Sequence, residues 1–308
     1  MRYRKLGRTN LNVSEVGLGG LFLSSKDRET GIQIIHKALE KGVNYFDTAP
    51  GYQNGLSESI LGEALEGRQE PFILSTKLGY LPDGFDFSYD MCMRCFEGSL
   101  KRLRRDKVDV LFIHDPDRAG GGSYQPVFGK GMALDACKKL KEQGLIRAIG
   151  IGSLWLDYQG YCIDSGEMDV ILTFNRYGLI WRDAQYQTFP FCRRHNTGIV
   201  QGTPLHQGVL SERHNEWITN PPEWMTFTEH EAFRKLYAIQ EKSGLALPEL
   251  ALRFIIGNPQ ISTTIPGAAD LNQLDLNLAA VAKGPLPDQI QAEIEALGIL
   301  HSDPRRYI

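Results

Sequence analysis

Four side chains able to carry a proton or hold a charge, Asp47, Tyr52, Lys77 and His114, each stand at or just beyond the end of a short apolar run. Asp47 and Tyr52 bracket Asp47-Thr48-Ala49-Pro50-Gly51-Tyr52, Lys77 closes Thr76-Lys77, and His114 opens His114-Asp115-Pro116. Together these types suit proton transfer coupled to hydride transfer. A free tyrosine, with a pKa of about 10, is a poor acid or base at neutral pH. A lysine ammonium within hydrogen-bonding reach favours the phenolate and is expected to lower that pKa by roughly 1–3 pH units. An adjacent aspartate keeps the lysine charged, and a histidine can hydrogen-bond a substrate oxygen and position it. Taken singly, each has a plainer reading: a strand-end lysine snorkels, and an aspartate after a strand caps a helix. Their joint placement is what points to a site.

The elements that must position them form a rhythm. Eight short runs read as strands: Glu15–Leu18, Val43–Phe46, Phe72–Ser75, Val108–Ile113, Ala148–Ile151, Val170–Thr173, Gly198–Gln201 and Ile261–Ile265. They are apolar without strict alternation, the pattern of parallel strands buried on both faces. Helical periodicity separates them over residues 30–41, 57–65, 89–103, 131–143, 183–195, 229–242 and 248–256, with Ser88 as an N-cap and Pro248 in a first turn. Eight strands alternating with helices predict a (β/α)8 TIM barrel, whose reacting groups follow the C-terminal strand ends. Residues 3–13, turning at Gly7–Asn10, read as an N-terminal β-hairpin before the first barrel strand. A doubly wound sheet is disfavoured, because Gly17-Leu18-Gly19-Gly20-Leu21-Phe22 lacks the third glycine of the dinucleotide fingerprint. No composition break divides residues 1–308, so a single barrel domain is expected.

Composition removes other classes. The 308 residues are 42% hydrophobic and 23% charged, and 34 basic against 37 acidic side chains leave a net charge of −3. That balance gives no footprint for nucleic acid or an anionic membrane. No apolar run approaches the ~18 residues of a membrane span, and the start lacks a secretory apolar core. Five cysteines at irregular spacing read as buried thiols in a reducing, cytoplasmic setting. Cys92-Met93-Arg94-Cys95 falls within a predicted helix and has no partner pair, and His230-Glu231 lacks a second histidine, so no metal is expected. No oligomeric state follows from these residues.

The chain resembles the aldo-keto reductase superfamily. The resemblance rests on the quartet, on Tyr45-Phe46-Asp47-Thr48-Ala49-Pro50-Gly51-Tyr52 and on Val108-Asp109-Val110-Leu111-Phe112-Ile113-His114. It continues through Ala148-Ile149-Gly150-Ile151-Gly152-Ser153, Pro204-Leu205-His206-Gln207-Gly208-Val209-Leu210 and Ile265-Pro266-Gly267-Ala268. Within the superfamily, Asp83–Ser88 and Asp169–Gly178 are most similar to the L-galactose dehydrogenase and L-fucose (D-threo-aldose) 1-dehydrogenase branch. The resemblance implies an NAD(P)-dependent oxidoreductase that oxidises an aldose at C1 to a lactone. Tyr52 would exchange the proton, assisted by Lys77 and Asp47, and His114 would orient the anomeric oxygen. Reduction of aldehydes or ketones is the alternative, since the same groups serve both directions. A nucleotide-binding regulatory barrel without turnover is the alternative of another class.

The resemblance also implies cofactor contacts. Ser153 and Asn175 fall near the nicotinamide, while Pro204, Leu205, Gln207, Gly208 and Leu210 follow the pyrophosphate. Pro266, Gly267, Gln273 and Asn277 meet the adenosine, and Gly20, Leu21 and Asp47 complete the set. The chain departs from the family pattern at Leu154, Phe174 and Gly202. No Lys or Arg occurs from Ile265 to Ala282, so NAD is expected over NADP, whose 2′-phosphate needs charged partners. Trp155 and Trp181 are candidate aromatic walls for the substrate. The tail from His301 to Ile308 is either a pocket wall or a frayed end.

Overall fold

The computed structural model describes residues 1–301 apart from Pro82, Gly120 and Ile299; of the tail only His301 is included, and 302–308 lie outside the described residues. A hairpin of β1 (Tyr3–Lys5) and β2 (Asn12–Ser14) pairs Tyr3 with Ser14 and comes first. Gly7 turns it with φ +53°, and a Cβ there would lie 2.1 Å from the Gly198 nitrogen, so two backbones meet where no side chain fits. Then follow β3 (Leu18–Gly19), β4 (Tyr45–Asp47) and β5 (Ile73–Leu78). A small antiparallel hairpin, β6 (Tyr80–Leu81) and β7 (Gly84–Phe85), interrupts the rhythm. The barrel resumes with β8 (Val110–His114), β9 (Ala148–Ser153), β10 (Val170–Phe174), β11 (Gly198–Gly202) and β12 (Thr263–Ile265).

The eight barrel strands run parallel in the order β3-β4-β5-β8-β9-β10-β11-β12. Parallel bridges from Val16 to Thr264 and from Gly19 to Gly267 close the ring. The fold is the (β/α)8 TIM barrel expected. Side chains alternate along each strand, which splits the core in two. Tyr45, Ile73, Val110, Phe112, Val170 and Val200 fill the barrel interior together with Leu6, Leu11 and Val13 of the hairpin, which seals its N-terminal end. The opposite strand faces pack on the surrounding helices in a larger cluster.

Glu15 is buried and takes Arg2 Nε and Arg4 Nη2, each at 2.6 Å. Arg4 also donates to the carbonyls of Ile256, Asn258 and Ile261, so the hairpin is tied to the approach to β12.

Two local expectations need correction. The helix expected over 183–195 is two, Ala184–Gln187 and Phe189–His195. Pro190 offers no N–H to the preceding turn and disfavours helical geometry in the residue before it. Ser88 does sit at the N-cap of the helix Tyr89–Leu103, but its hydroxyl makes no capping bond. Asp86 instead accepts its backbone N–H at 2.9 Å. Among the described residues no helix is long and apolar enough to cross a membrane.

Candidate active site

The strand ends bring the four expected side chains to one mouth of the barrel. Asp47 ends β4, Lys77 lies in β5 and His114 ends β8, three adjacent strands. Lys77 Nζ donates to Asp47 Oδ2 at 2.6 Å and to the Thr48 carbonyl at 2.7 Å, and both side chains are sealed from solvent. Ser75 Oγ donates to Asp47 Oδ1 at 2.7 Å, so both carboxylate oxygens are satisfied. Tyr52 opens a tight turn. Its ring centre lies 4.7 Å from Lys77 Nζ and 6.0 Å from the centre of the His114 ring, which meets it edge-on.

The turn itself is unusual. Gln53, Asn54 and Gly55 are all left-handed, at φ +45°, +53° and +82°. Gln53 Nε2 donates to the Leu21 carbonyl, fastening the tyrosine turn to the segment after β3. Non-glycine residues held this way cost free energy that the surrounding contacts must offset, and such strain gathers at functional sites.

The electrostatics correct one expectation. Burial, joined by the Asp47 and Asp115 charges, outweighs the lowering by the Lys77 charge and hydrogen bond, so the phenol is held above its ordinary value. The expectation considered the charge partner and left out desolvation, which in this site is the larger influence. Burial works against the Lys77 ammonium too, but Asp47 and Tyr52 together outweigh it and raise its pKa. Burial, with the Lys77 and Arg118 charges, holds His114 well below the usual imidazole range, so the ring is neutral at pH 7.

The cofactor candidates gather around the same mouth. Asn175 follows β10 at φ +56°, buried, and neither atom of its carboxamide has a partner. Ser153 ends β9 with its hydroxyl only 3.5 Å from the Trp155 carbonyl, a weak bond. Phe174 and Gly202 face each other in the β10–β11 register, the ring standing where the neighbouring strand is bare. After β11, Thr203, His206, Gln207 and Gly208 are left-handed. Pro204 is buried, Leu205 half-buried and Gln207 exposed, whereas Leu210 turns into the core.

Beyond β12, Pro266 and Gly267 run into the helix Leu271–Ala282. Asn277 Nδ2 donates to the Gly267 carbonyl at 3.3 Å, and Gln273 Oε1 accepts from the Ala269 N–H at 3.0 Å. Gly20 is buried, and a Cβ there would lie 2.7 Å from the Asp47 carbonyl, while Leu21 is exposed. The unpartnered Asn175 carboxamide and the left-handed loop residues after β11 are groups that could hold a nicotinamide dinucleotide. Among the described residues no group of three or more His, Cys, Asp or Glu side chains could hold a metal ion.

The two tryptophans part company. Trp155 is half-buried with its indole N–H unpartnered, and remains a candidate wall. Trp181 is 2% exposed, stacks on His206 at 3.7 Å and donates its indole N–H to Glu229 at 2.8 Å. It packs the loop after β11 against the helix Phe227–Ser243 rather than facing substrate. All five cysteines are free and buried, and burial pushes the Cys95 thiol up to about 11.

The aldo/keto reductase family profile matches residues 15–299. The chain belongs to the aldo/keto reductase family. It is 32% identical to an L-galactose dehydrogenase of Arabidopsis thaliana, covering 96% of this chain and 90% of the relative. It is 26% identical to a D-threo-aldose 1-dehydrogenase of a Pseudomonas species, with 92% of each covered. Among solved structures, the holo form of an aldo-keto reductase from Bacillus halodurans superposes with a TM-score of 0.82 at 27% identity. That match covers 97% of this chain and 98% of the other. As a member of this family the chain is an NAD(P)-dependent oxidoreductase.

Sequence reasoning missed part of this mouth. The β6–β7 hairpin brings Tyr80 to 5.3 Å from the His114 ring, and Arg118 covers Tyr80 and Phe85 at 5.8 and 5.6 Å. Phe22 packs on Gly267, where a Cβ would meet its ring at 2.6 Å. Asp270 caps the helix Leu271–Ala282, accepting the Gln273 N–H at 2.8 Å, and pairs with Lys26 at 3.0 Å. The cap alone was legible, as an Asp followed three residues later by Gln.

Proposed function

We propose that this reductase oxidises an aldose at C1 to the lactone, with NAD as hydride acceptor. The observation that carries the reading is the buried Lys77–Asp47 pair beneath Tyr52, with a neutral His114 beside it. When bound, a nicotinamide would supply the acceptor for the C1 hydride, with Ser153 and the unpartnered Asn175 carboxamide as the residues that would hold it. The protein's own part is to place the sugar hydroxyl between Tyr52 and His114 and to move its proton. As the C1–H pair leaves, the O–H bond gives its proton to Tyr52 Oη and C1=O forms. Lys77 stabilises the phenolate that must accept it, and Asp47 keeps Lys77 charged. His114, neutral, can hydrogen-bond the same oxygen without competing for the proton. Two relatives whose names describe aldose oxidation support the choice of substrate class.

The deciding experiment follows reduced-cofactor formation with NAD and NADP separately on a panel of aldoses including L-galactose, L-fucose and D-arabinose. Saturable turnover with NAD on one of them supports the reading. Silence on every sugar, with reduction of simple aldehydes, replaces it with the carbonyl-reductase alternative.

The pH dependence has a defined sign. Oxidation needs Tyr52 deprotonated, and a pKa raised by burial leaves that form scarce at neutral pH. Oxidative kcat/KM therefore rises with pH through the alkaline range, while the reductive direction stays level below the tyrosine pKa. An oxidative profile that falls above pH 8 would remove Tyr52 from the role of base.

Cofactor preference rests on the adenosine end. Asp270 is ionised, its pKa lowered by the Gln273 backbone N–H and by Lys26, and its cap places negative charge at the helix start. Lys37 is likewise spent, on Asp275 at 2.6 Å. A 2′-phosphate there meets carboxylates rather than free cations. NAD is expected to bind at least about tenfold more tightly than NADP, read by fluorescence titration. Asp270→Asn, which still caps the helix, narrows the gap. Gly267→Lys alone does not, because Phe22 stands in the way. Tighter binding of NADP by the wild type sinks this preference.

A further inference from the structure

The mouth holds a carboxylate that the proton-transfer scheme does not use. Asp115 follows His114 directly, left-handed at φ +50°, and its N–H donates to the Gly152 carbonyl at 2.8 Å. Its side chain is 7% exposed. Oδ2 lies 3.3 Å from Arg118 Nη1, while the buried Oδ1 has no donor at all. Its charge acts on both Tyr52 and Lys77, so it stands within electrostatic reach of the reacting groups. Burial, then the neighbouring Asp117, pushes this carboxyl up to about 7.

Asp117 has a different task. Its Oδ2 accepts the backbone N–H groups of Leu154 and Trp155, each at 3.0 Å, and so holds the loop after β9. Asp115 holds no loop by its side chain; its one partner is Arg118, itself spread over the Tyr80 and Phe85 rings. A backbone turn at positive φ asks for Gly, Asn or Asp, not for a charge. A carboxylate retained at this depth costs solvation that one ion pair at 3.3 Å offsets poorly. An apolar carbonyl substrate has no donor to offer it, whereas a polyol has a hydroxyl on every carbon beside the reacting one.

We propose that Asp115, braced by Arg118, reads the hydroxyl vicinal to the reacting carbon and makes the site selective for polyhydroxylated substrates. His114 meets the reacting oxygen, and the next residue in the chain meets the next oxygen of the sugar. The stacked Tyr80 and Phe85 rings hold the Arg118 guanidinium in place. This inference rests on the aldose reading above and adds the residue that would enforce it. A site built to hydrogen-bond a hydroxyl rejects analogues lacking it far more strongly than an apolar pocket rejects a change of size.

The test pairs a protein change with a substrate change. Wild type and Asp115→Asn are assayed on the best aldose, on its 2-deoxy analogue and on a hydroxyl-free aldehyde run with NADH, and NADH affinity is titrated by fluorescence. Asn tolerates the left-handed backbone and keeps the shape while removing the charge. In the wild type, loss of the 2-hydroxyl lowers kcat/KM by roughly tenfold or more, mostly through KM. In Asp115→Asn that gap collapses to about threefold or less, since the hydroxyl and the carboxylate are coupled. The variant's loss with the sugar exceeds its loss with the aldehyde by about tenfold, and NADH affinity is retained. A 2-hydroxyl gap that persists in Asp115→Asn overturns the assignment while leaving the aldose reading intact. A wild type that turns over aldehydes but no aldose overturns both. Equal losses on sugar and aldehyde make Asp115 a structural residue only, and Arg118→Leu then reproduces the same even loss.

Discussion

Tyr52→Phe abolishes turnover in both directions, by roughly a thousandfold or more, and leaves nucleotide binding in place. The change deletes one hydroxyl from a ring held by Lys77 at 4.7 Å and by the edge of His114. General acid–base help of this kind contributes about 10²–10⁴ in rate. The ring remains to fill its space, so the fold is not at issue. The measurement is steady-state kcat on the best aldose beside fluorescence titration of NADH on the same preparation. Substantial turnover by Tyr52→Phe would move the proton-transfer role elsewhere, with His114 the next group to examine. Loss of NADH binding together with turnover would show that the variant perturbs the site as a whole. A binding module without chemistry would show no turnover in the wild type to lose.

Lys77→Met produces the other large effect, on stability as well as rate. It strips the counter-charge from Asp47, a carboxylate 1% exposed inside the barrel wall. Removing one member of a buried pair leaves the other uncompensated and costs about 3–5 kcal/mol. Ser75 still donates to Asp47 Oδ1, which softens the loss without neutralising the charge. Adding Asp47→Asn to Lys77→Met removes the stranded charge, so the double variant recovers much of the lost denaturant midpoint. It recovers none of the activity, because Tyr52 still lacks its cation. Single and double variants that unfold alike would mean that the pair contributes to packing rather than to charge balance.

The barrel was legible because its strands are apolar on both faces and its helices keep their own period, a contrast that survives boundary shifts of up to three residues. The quartet was legible because strand ends in this architecture converge. What escaped depends on distances that spacing does not encode. Trp181 sits near the right mouth in sequence, yet Glu229, 48 residues on, claims its N–H and His206 covers its face. Arg182, the next residue, lies at the same point in the sequence. It is buried, donating to the carbonyls of Leu179, Ile294, Glu295 and Gly298. The sign of the Tyr52 shift was lost for a similar reason, since burial competes with Lys77 and burial is not written in spacing. Asp115 stands in His114-Asp115-Pro116, but nothing in that string tells a turn residue from a ligand.

The ring closes at its shortest strand, and that closure has a mechanical meaning. Between β3 and β12 the join consists of Gly17 N–H to Thr264 O, Thr264 N–H to Glu15 O and Gly19 N–H to Pro266 O. Elsewhere neighbouring strands are zipped over as many as five residues. Because β3 meets β4 over only two residues as well, it is the clasp of the hoop, and local opening begins where few bonds must break. The two sides of the clasp run straight into the segments holding Gly20 and Leu21 on one edge and Pro266 and Gly267 on the other. A dinucleotide gripping both edges would hold the clasp shut, so that keeping the hoop closed and keeping the cofactor would be one equilibrium.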